Sequence, residues 1–183
     1  MNLRLSLARL YIPFWIHKKK LRELFALTAQ AFQAQEPPLE GLSRKEVLEK
    51  YASFTKENAE EILAREKNIK AVQNLLYEKA FLMGCSLRKT LRISSPAEFM
   101  AAARLLYHLM GINFQGEETG QITIRQCYFS RIYSENVCRI VSSLDEGMLA
   151  GLSGGRGKLE FSDRLTSGAE CCKAVFHFGD RVK

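Results

Sequence analysis

Gln121-Ile122-Thr123-Ile124-Arg125-Gln126-Cys127-Tyr128-Phe129 decides the fold class, because here the apolar pattern changes from helical to alternating. Ile122 and Ile124 fall on one face of an extended chain, and Thr123, Arg125 and Cys127 on the other, the pattern of a half-buried strand. Everything before about Asn113 reads as helix. Beyond Ser134 the chain returns to helix and then closes with two more alternating stretches, 158–165 and 171–178. The reading is therefore α+β: N-terminal helices packed on an antiparallel sheet formed by the C-terminal third. The 183 residues suit one domain, with 1–112 helical and 113–183 carrying the α+β part.

Outward toward the N-terminus, Leu21, Leu24, Phe25, Leu27, Ala31 and Phe32 recur at helical spacing, and Glu36-Pro37-Pro38 ends that helix. Ser43 stands three residues before Glu46, a reciprocal capping pair, and Ser53 or Thr55 is expected to cap a second short segment after a break. From Asn68 to about Leu91, Ile69, Val72, Leu76, Ala80, Met83 and Leu87 form one continuous stripe. Gly84 lies beside it, where a neighbouring helix can approach closely, and Cys85 reads as a small buried hydrophobe. Ser94 or Ser95, followed by Pro96, opens the next helix, which stops at Gly111.

Toward the C-terminus, Val137, Val141, Leu144, Met148 and Leu152 mark the core face of a helix over 135–152. Ser153-Gly154-Gly155-Arg156-Gly157 is a turn and lacks the pattern of a phosphate loop. Thr166-Ser167-Gly168-Ala169-Glu170 joins the last two strands as a hairpin. In the final strand Cys172, Ala174, Phe176 and Phe178 share one face, while Cys171, Lys173, Val175 and His177 share the other.

The net charge of +7 is densest at Lys18 to Arg22, with a second cluster at Arg88, Lys89 and Arg92. No continuous basic stripe or recognition motif accompanies it, so it reads as solvated helix surface and no specific nucleic-acid partner is expected. The apolar run Leu10–Ile16 is interrupted by Pro13 and followed by His17 and three lysines. It is too short to span a bilayer and is not built like an export signal; membrane contact through Phe14, Trp15 and the lysines would be weak. Five cysteines, an odd count without C-x-x-C, imply reduced thiols and a cytoplasmic setting.

Four of the five cysteines gather in the last third, and there a resemblance emerges. Ile124, Cys127, Cys138, Asp145-Glu146-Gly147, Leu165-Thr166-Ser167-Gly168, Cys172 and the closing aromatic strand resemble the L-2-amino-thiazoline-4-carboxylic acid hydrolase-like family. That family is similar in its closing Gly, Cys and aromatic signature to 4-vinyl reductase domains. Leu76-Tyr77, Gly84 and Leu87-Arg88 resemble the helix that precedes the sheet. The resemblance implies a ligand pocket between helices and sheet, used either to hydrolyse a small thiazoline-like heterocycle or, without catalysis, to bind or sense a small molecule beside a structural metal. It carries over Cys127, Cys138, Asp145, Gly168 and Cys172. Ala169-Glu170-Cys171 departs from the vinyl-reductase pattern, leaving Cys171 or Cys172 as the matching thiol.

Cys127, Cys138 and Asp145 are thus the candidate catalytic residues, and with Cys172 the candidate ligand-binding set. Cys138, near a helix start, has the dipole a thiolate needs, and His177 would serve as base only from its outward face. A zinc site would draw on Cys127, Cys138 and Cys171 or Cys172, with His177 or Glu160 as the fourth ligand. On a single helix Cys138 and Asp145 would share a face about 10 Å apart, at about 1.5 Å per residue, bordering one pocket without ligating one ion. Asp145 is expected to face that pocket from mid-helix. His108, on a predominantly apolar helix, reads as a core histidine. The partner is a small molecule, and the chain is expected to act alone or as a symmetric homodimer.

Overall fold

The computed structural model describes Leu5, residues 14–65 and residues 68–179. The side chains of 14–17 and most of the run Leu10–Ile16 lie outside the described residues, and the surface-contact expectation for Phe14, Trp15 and His17 lies there with them. The elements run α1 (Phe14–Phe32), α2 (Arg44–Ala64), α3 (Ile69–Leu91), α4 (Pro96–Leu109), β1 (Ile112–Gly116) and β2 (Gln121–Cys127). After a 3-10 turn come α5 (Glu135–Val141), α6 (Ser143–Ser153), β3 (Gly157–Asp163) and β4 (Cys172–Phe178). All pairings are antiparallel, in the order β1-β2-β4-β3. The fold is α+β, with the sheet drawn from the C-terminal part. Among the described residues no helix is long and apolar enough to cross a membrane.

Local chemistry accounts for the helix starts. The Ser43 hydroxyl accepts from the Glu46 N–H while the Glu46 carboxylate accepts from the Ser43 N–H, the reciprocal cap of α2. Asn68 caps α3, and Ser95 with Pro96 opens α4, which ends before the left-handed Gly111 at φ +69°.

Two helix boundaries differ from expectation. No break occurs near Ser53: α2 runs through it, because the Thr55 hydroxyl donates back to the carbonyls of Tyr51 and Ala52 and so stays within the helix instead of capping a new one. The expected 135–152 helix is instead two, jointed at Ser142, whose hydroxyl donates to the Arg139 carbonyl at 3.2 Å. Serine back-bonding of this kind bends helices. Strand β1 was not anticipated: Ile112-Asn113-Phe114-Gln115-Gly116 has a single fully buried position, Phe114, and too few residues to show alternation.

The core has two clusters. One lies between the sheet and α3, α4 and α6 and includes Phe99, Phe114, Ile122, Ile124, Leu152 and Phe176. The other lies among the N-terminal helices and α5 and includes Phe25, Tyr51, Leu76, Phe129, Val137 and Ile140. Ile112, Cys127 and Met148 pack against both. Helices α3 and α6 cross at backbone contact: a Cβ at Gly84 would collide with the Met148 carbonyl, at Gly147 with Tyr77 and at Gly151 with Phe81. The close approach expected at Gly84 is present, and two glycines of α6 complete it. Cys85 beside it is half-buried, not buried.

The final strand alternates as expected. Ala174 and Phe176 are buried and Lys173 and His177 exposed, so Cys172 faces inward. Strand β2 does not alternate throughout. Asn113 pairs with Gln126 and Phe114 with Ile124, leaving Arg125 as an extra residue. That bulge shifts the face by one position, so Cys127, paired with Ile112, turns to the core side shared with Ile124. Strict alternation had placed it on the opposite face.

Candidate functional site: an apolar cavity between two cores

Where the two clusters meet, the chain forms a partly open cavity of about 140 Å³. Its wall is predominantly apolar: Leu21 and Leu24 of α1, Leu106 and Leu109 of α4, Val141 of α5 and Leu144 and Met148 of α6. Cys127, Cys138 and Asp145 all reach this wall, as do Tyr51, Tyr107 and Tyr133. Lys20, half-buried and paired with Glu23 at 2.6 Å, is the cation in the wall. The bulge at Arg125 turns Cys127 inward, and the joint at Ser142 sets Cys138 on α5 and Asp145 on α6. Asp145 therefore sits in the first turn of α6, not in mid-helix, and the two residues do not share one axis.

Asp145 is the electrostatic centre of the site. Its Oδ1 accepts from the Tyr107 hydroxyl at 2.9 Å. Burial pushes its carboxyl up to about 6, opposed by the Tyr107 hydrogen bond and the nearby Arg164 charge. Its side chain is half-buried and lines the cavity. Burial also drives the Tyr107 and Tyr133 hydroxyls well above the ordinary phenol range. Tyr133 is held by Thr55, and Tyr51 by Thr28 at 3.2 Å, so both tyrosine rims are fixed by hydroxyls of the helical core.

The thiols differ from one another. Burial pushes Cys127 up to about 12, which keeps it a neutral thiol at physiological pH. Cys138 Sγ lies 3.8 Å from Nη1 of Arg164, whose guanidinium covers the Phe161 ring at 4.1 Å. Cys172 Sγ accepts from the Leu165 N–H at 3.3 Å, and burial raises its pKa. It lies outside the cavity wall.

Among the described residues no three His, Cys, Asp or Glu side chains come together to hold a metal ion. The expected zinc set of Cys127, Cys138 and Cys171 or Cys172 is therefore not assembled. His177 and Glu160, offered as its fourth ligand, pair with each other at 3.3 Å on the exposed outer face of the sheet. From there His177 does not reach a thiol in the cavity as a base. His108 is exposed, not a core histidine, because it falls on the α4 face opposite Tyr107.

Tyr107 and Arg164 went unnoticed in the sequence. Tyr107 lies 38 residues from Asp145, and only its place on the buried face of α4 marked it.

No family model and no curated protein matches the chain. Among solved structures, the fold is similar to the crystal structure of a trafficking protein particle complex subunit 3 from Naegleria fowleri covalently bound to palmitic acid. The TM-score is 0.50 with 14% identical residues, and the match covers 76% of this chain and 99% of that one. The fold thus belongs with an α+β architecture of helices on an antiparallel sheet that a trafficking-particle subunit also uses.

Proposed function

We propose that the protein is a non-catalytic binding module that holds a small apolar molecule in the cavity, with a polar atom of the ligand directed at the Asp145–Tyr107 pair. The observation that carries this reading is an apolar chamber of about 140 Å³ with a single carboxyl in its wall. A dry protein cavity of about 150 Å³ takes a benzene-sized guest, so the volume fits a ring or a short run of about six carbons. Burial there is worth about 25 cal/mol per Å² of apolar surface, and the carboxyl selects orientation rather than affinity. The small-molecule-binding alternative implied by the 4-vinyl reductase resemblance asks for the same kind of chamber. The Naegleria fowleri structure carries palmitic acid on the related fold, which supports an aliphatic ligand here, with Cys127 and Cys138 in the wall. A sixteen-carbon chain would require the cavity to open further. Assembly into a larger complex is proposed on the same likeness.

Hydrolysis of a small heterocycle is a second reading, favoured by Asp145 alone: a carboxyl titrating near 6 is suited to take a proton from water near neutral pH. Cys127 is a poor nucleophile for it, since its thiol stays protonated.

Titration with linear alkanoic acids and alkanols of increasing length tests the binding reading. Affinity is expected to rise with each carbon up to about six and then level off. Val141→Phe, which fills the chamber, is expected to weaken binding by at least about tenfold while the circular dichroism spectrum is kept. Binding by no member of the series, or binding indifferent to Val141→Phe, would overturn it. Turnover of a thiazoline carboxylate that Asp145→Asn abolishes would establish the hydrolase instead.

A further inference from the structure

Helix α4 has two working faces. Leu106, Tyr107, Leu109 and Met110 look into the apolar cavity, while Ala101, Arg104, Leu105 and His108, at helical spacing on the opposite side, form one wall of a separate open groove. That groove has a volume of about 680 Å³, within the range of small-molecule sites. Arg44 of α2 closes one end, and Asn113 and Gln126, direct partners across β1 and β2, supply two side-chain amides. No Asp or Glu stands in its wall.

Both guanidiniums are held by backbone carbonyls and not by carboxylates. Arg44 Nη2 donates to the carbonyls of His108 at 3.3 Å and Leu109 at 3.0 Å, and Arg104 Nη2 donates to Gly116 at 3.3 Å. Neither arginine forms an ion pair among the described residues. A guanidinium has five N–H donors, so each keeps donors for a ligand. The Arg44 contacts have a further effect: the C-terminus of a helix repels anions, and here its last carbonyls are covered by a cation.

We infer that this groove binds a small phosphorylated organic molecule of nucleotide size, its phosphate between Arg104 and His108, one turn apart on α4, and its polar ring against the amides of Asn113 and Gln126. Arginine forks match phosphate oxygens, and paired amides match the donor and acceptor edges of a heterocycle. The inference is independent of what occupies the apolar cavity.

Calorimetric titration of the full chain with adenosine monophosphate, and separately with inorganic phosphate, tests it. The nucleotide is expected to bind below about 1 mM, at least about tenfold more tightly than phosphate alone. The double variant Arg104→Gln/His108→Gln leaves the Arg44 contacts in place and is expected to lose at least about tenfold in nucleotide affinity, with alkanol binding in the cavity unchanged. In the unaltered protein, the nucleotide should shift the side-chain amide resonances of Asn113 and Gln126, a readout that does not depend on how the variant folds. No nucleotide binding by about 1 mM, unshifted amides, or an affinity equal to that of phosphate, the result of an adventitious ion only, would each overturn the proposal.

Discussion

The α3–α6 crossing and the cavity beside it are built from the same helices in opposite ways. At the crossing, Gly84, Gly147 and Gly151 bring two backbones together until no methyl group fits between them. A turn away, Met83 of α3 and Leu144, Asp145 and Met148 of α6 face a chamber of about 140 Å³. Cavities forfeit dispersion contacts and close packing recovers them, so the tight crossing sustains the fold while the adjoining space is left for another purpose. The carboxyl placed in that space argues the same way, because a half-buried acid on an apolar wall weakens a core that exists only for stability.

The sharpest way to break this contrast is at the crossing. Gly147→Val would drive side-chain atoms into the Tyr77 backbone, which cannot rotate away, and should cost more than about 3 kcal/mol in urea unfolding. A loss under about 1 kcal/mol would show that the helices separate easily and that the crossing is not the rigid part.

Next in size is the pH dependence of Asp145. Its folded pKa of about 6 lies above the ordinary 3.8, so the folded state keeps a proton that the unfolded chain has already released. Its contribution to stability is full below about pH 3.8 and is lost as the pH rises through about 6. Asp145→Asn removes that loss. The variant should therefore gain on the unaltered protein between those limits, by at most about 1.4 kcal/mol for each pH unit of the window, and the difference should be flat above pH 7. Parallel stability curves from pH 4 to 7 would mean that Asp145 is solvated.

The smallest effect belongs to Tyr107→Phe. Removing the hydroxyl should destabilise by about 1 kcal/mol near neutral pH and move the Asp145 titration upward, since the lost hydrogen bond is one that holds the carboxyl down. An unmoved titration, followed by the carboxyl carbon resonance, would separate the pair.

These residues also mark what could be read in advance. Amphipathic stripes of three or more turns in α1, α3 and α4 were legible because each repeats its apolar spacing several times, and β4 because its seven residues alternate cleanly. Short or interrupted elements were not. Strand β1 presents one fully buried residue, and the joint at Ser142 leaves the apolar stripe unbroken, since Val137, Val141, Leu144 and Met148 keep helical spacing across it. Within the site, Cys127, Cys138 and Asp145 were named from sequence, yet Cys127 reaches the wall only through the extra residue at Arg125, which no periodicity announces. The three tyrosines come from α2, α4 and the segment before α5, a convergence that only tertiary packing creates. The thiols expected as metal ligands stand on three separate elements, Cys127 at the end of β2, Cys138 on α5 and Cys172 at the start of β4, and among the described residues no three ligating side chains gather.

The glycine-lined crossing also sets how a guest would enter. Backbones already touching along α3 and α6 cannot part without losing their whole interface, so that side of the chamber acts as a fixed wall. The opposite side is α1, which meets the rest of the molecule mainly through α2 and α3 and lends the chamber Lys20, Leu21 and Leu24. Under the proposed binding role, α1 is therefore the side of the chamber that can yield to a longer occupant, because it lies off the rigid crossing.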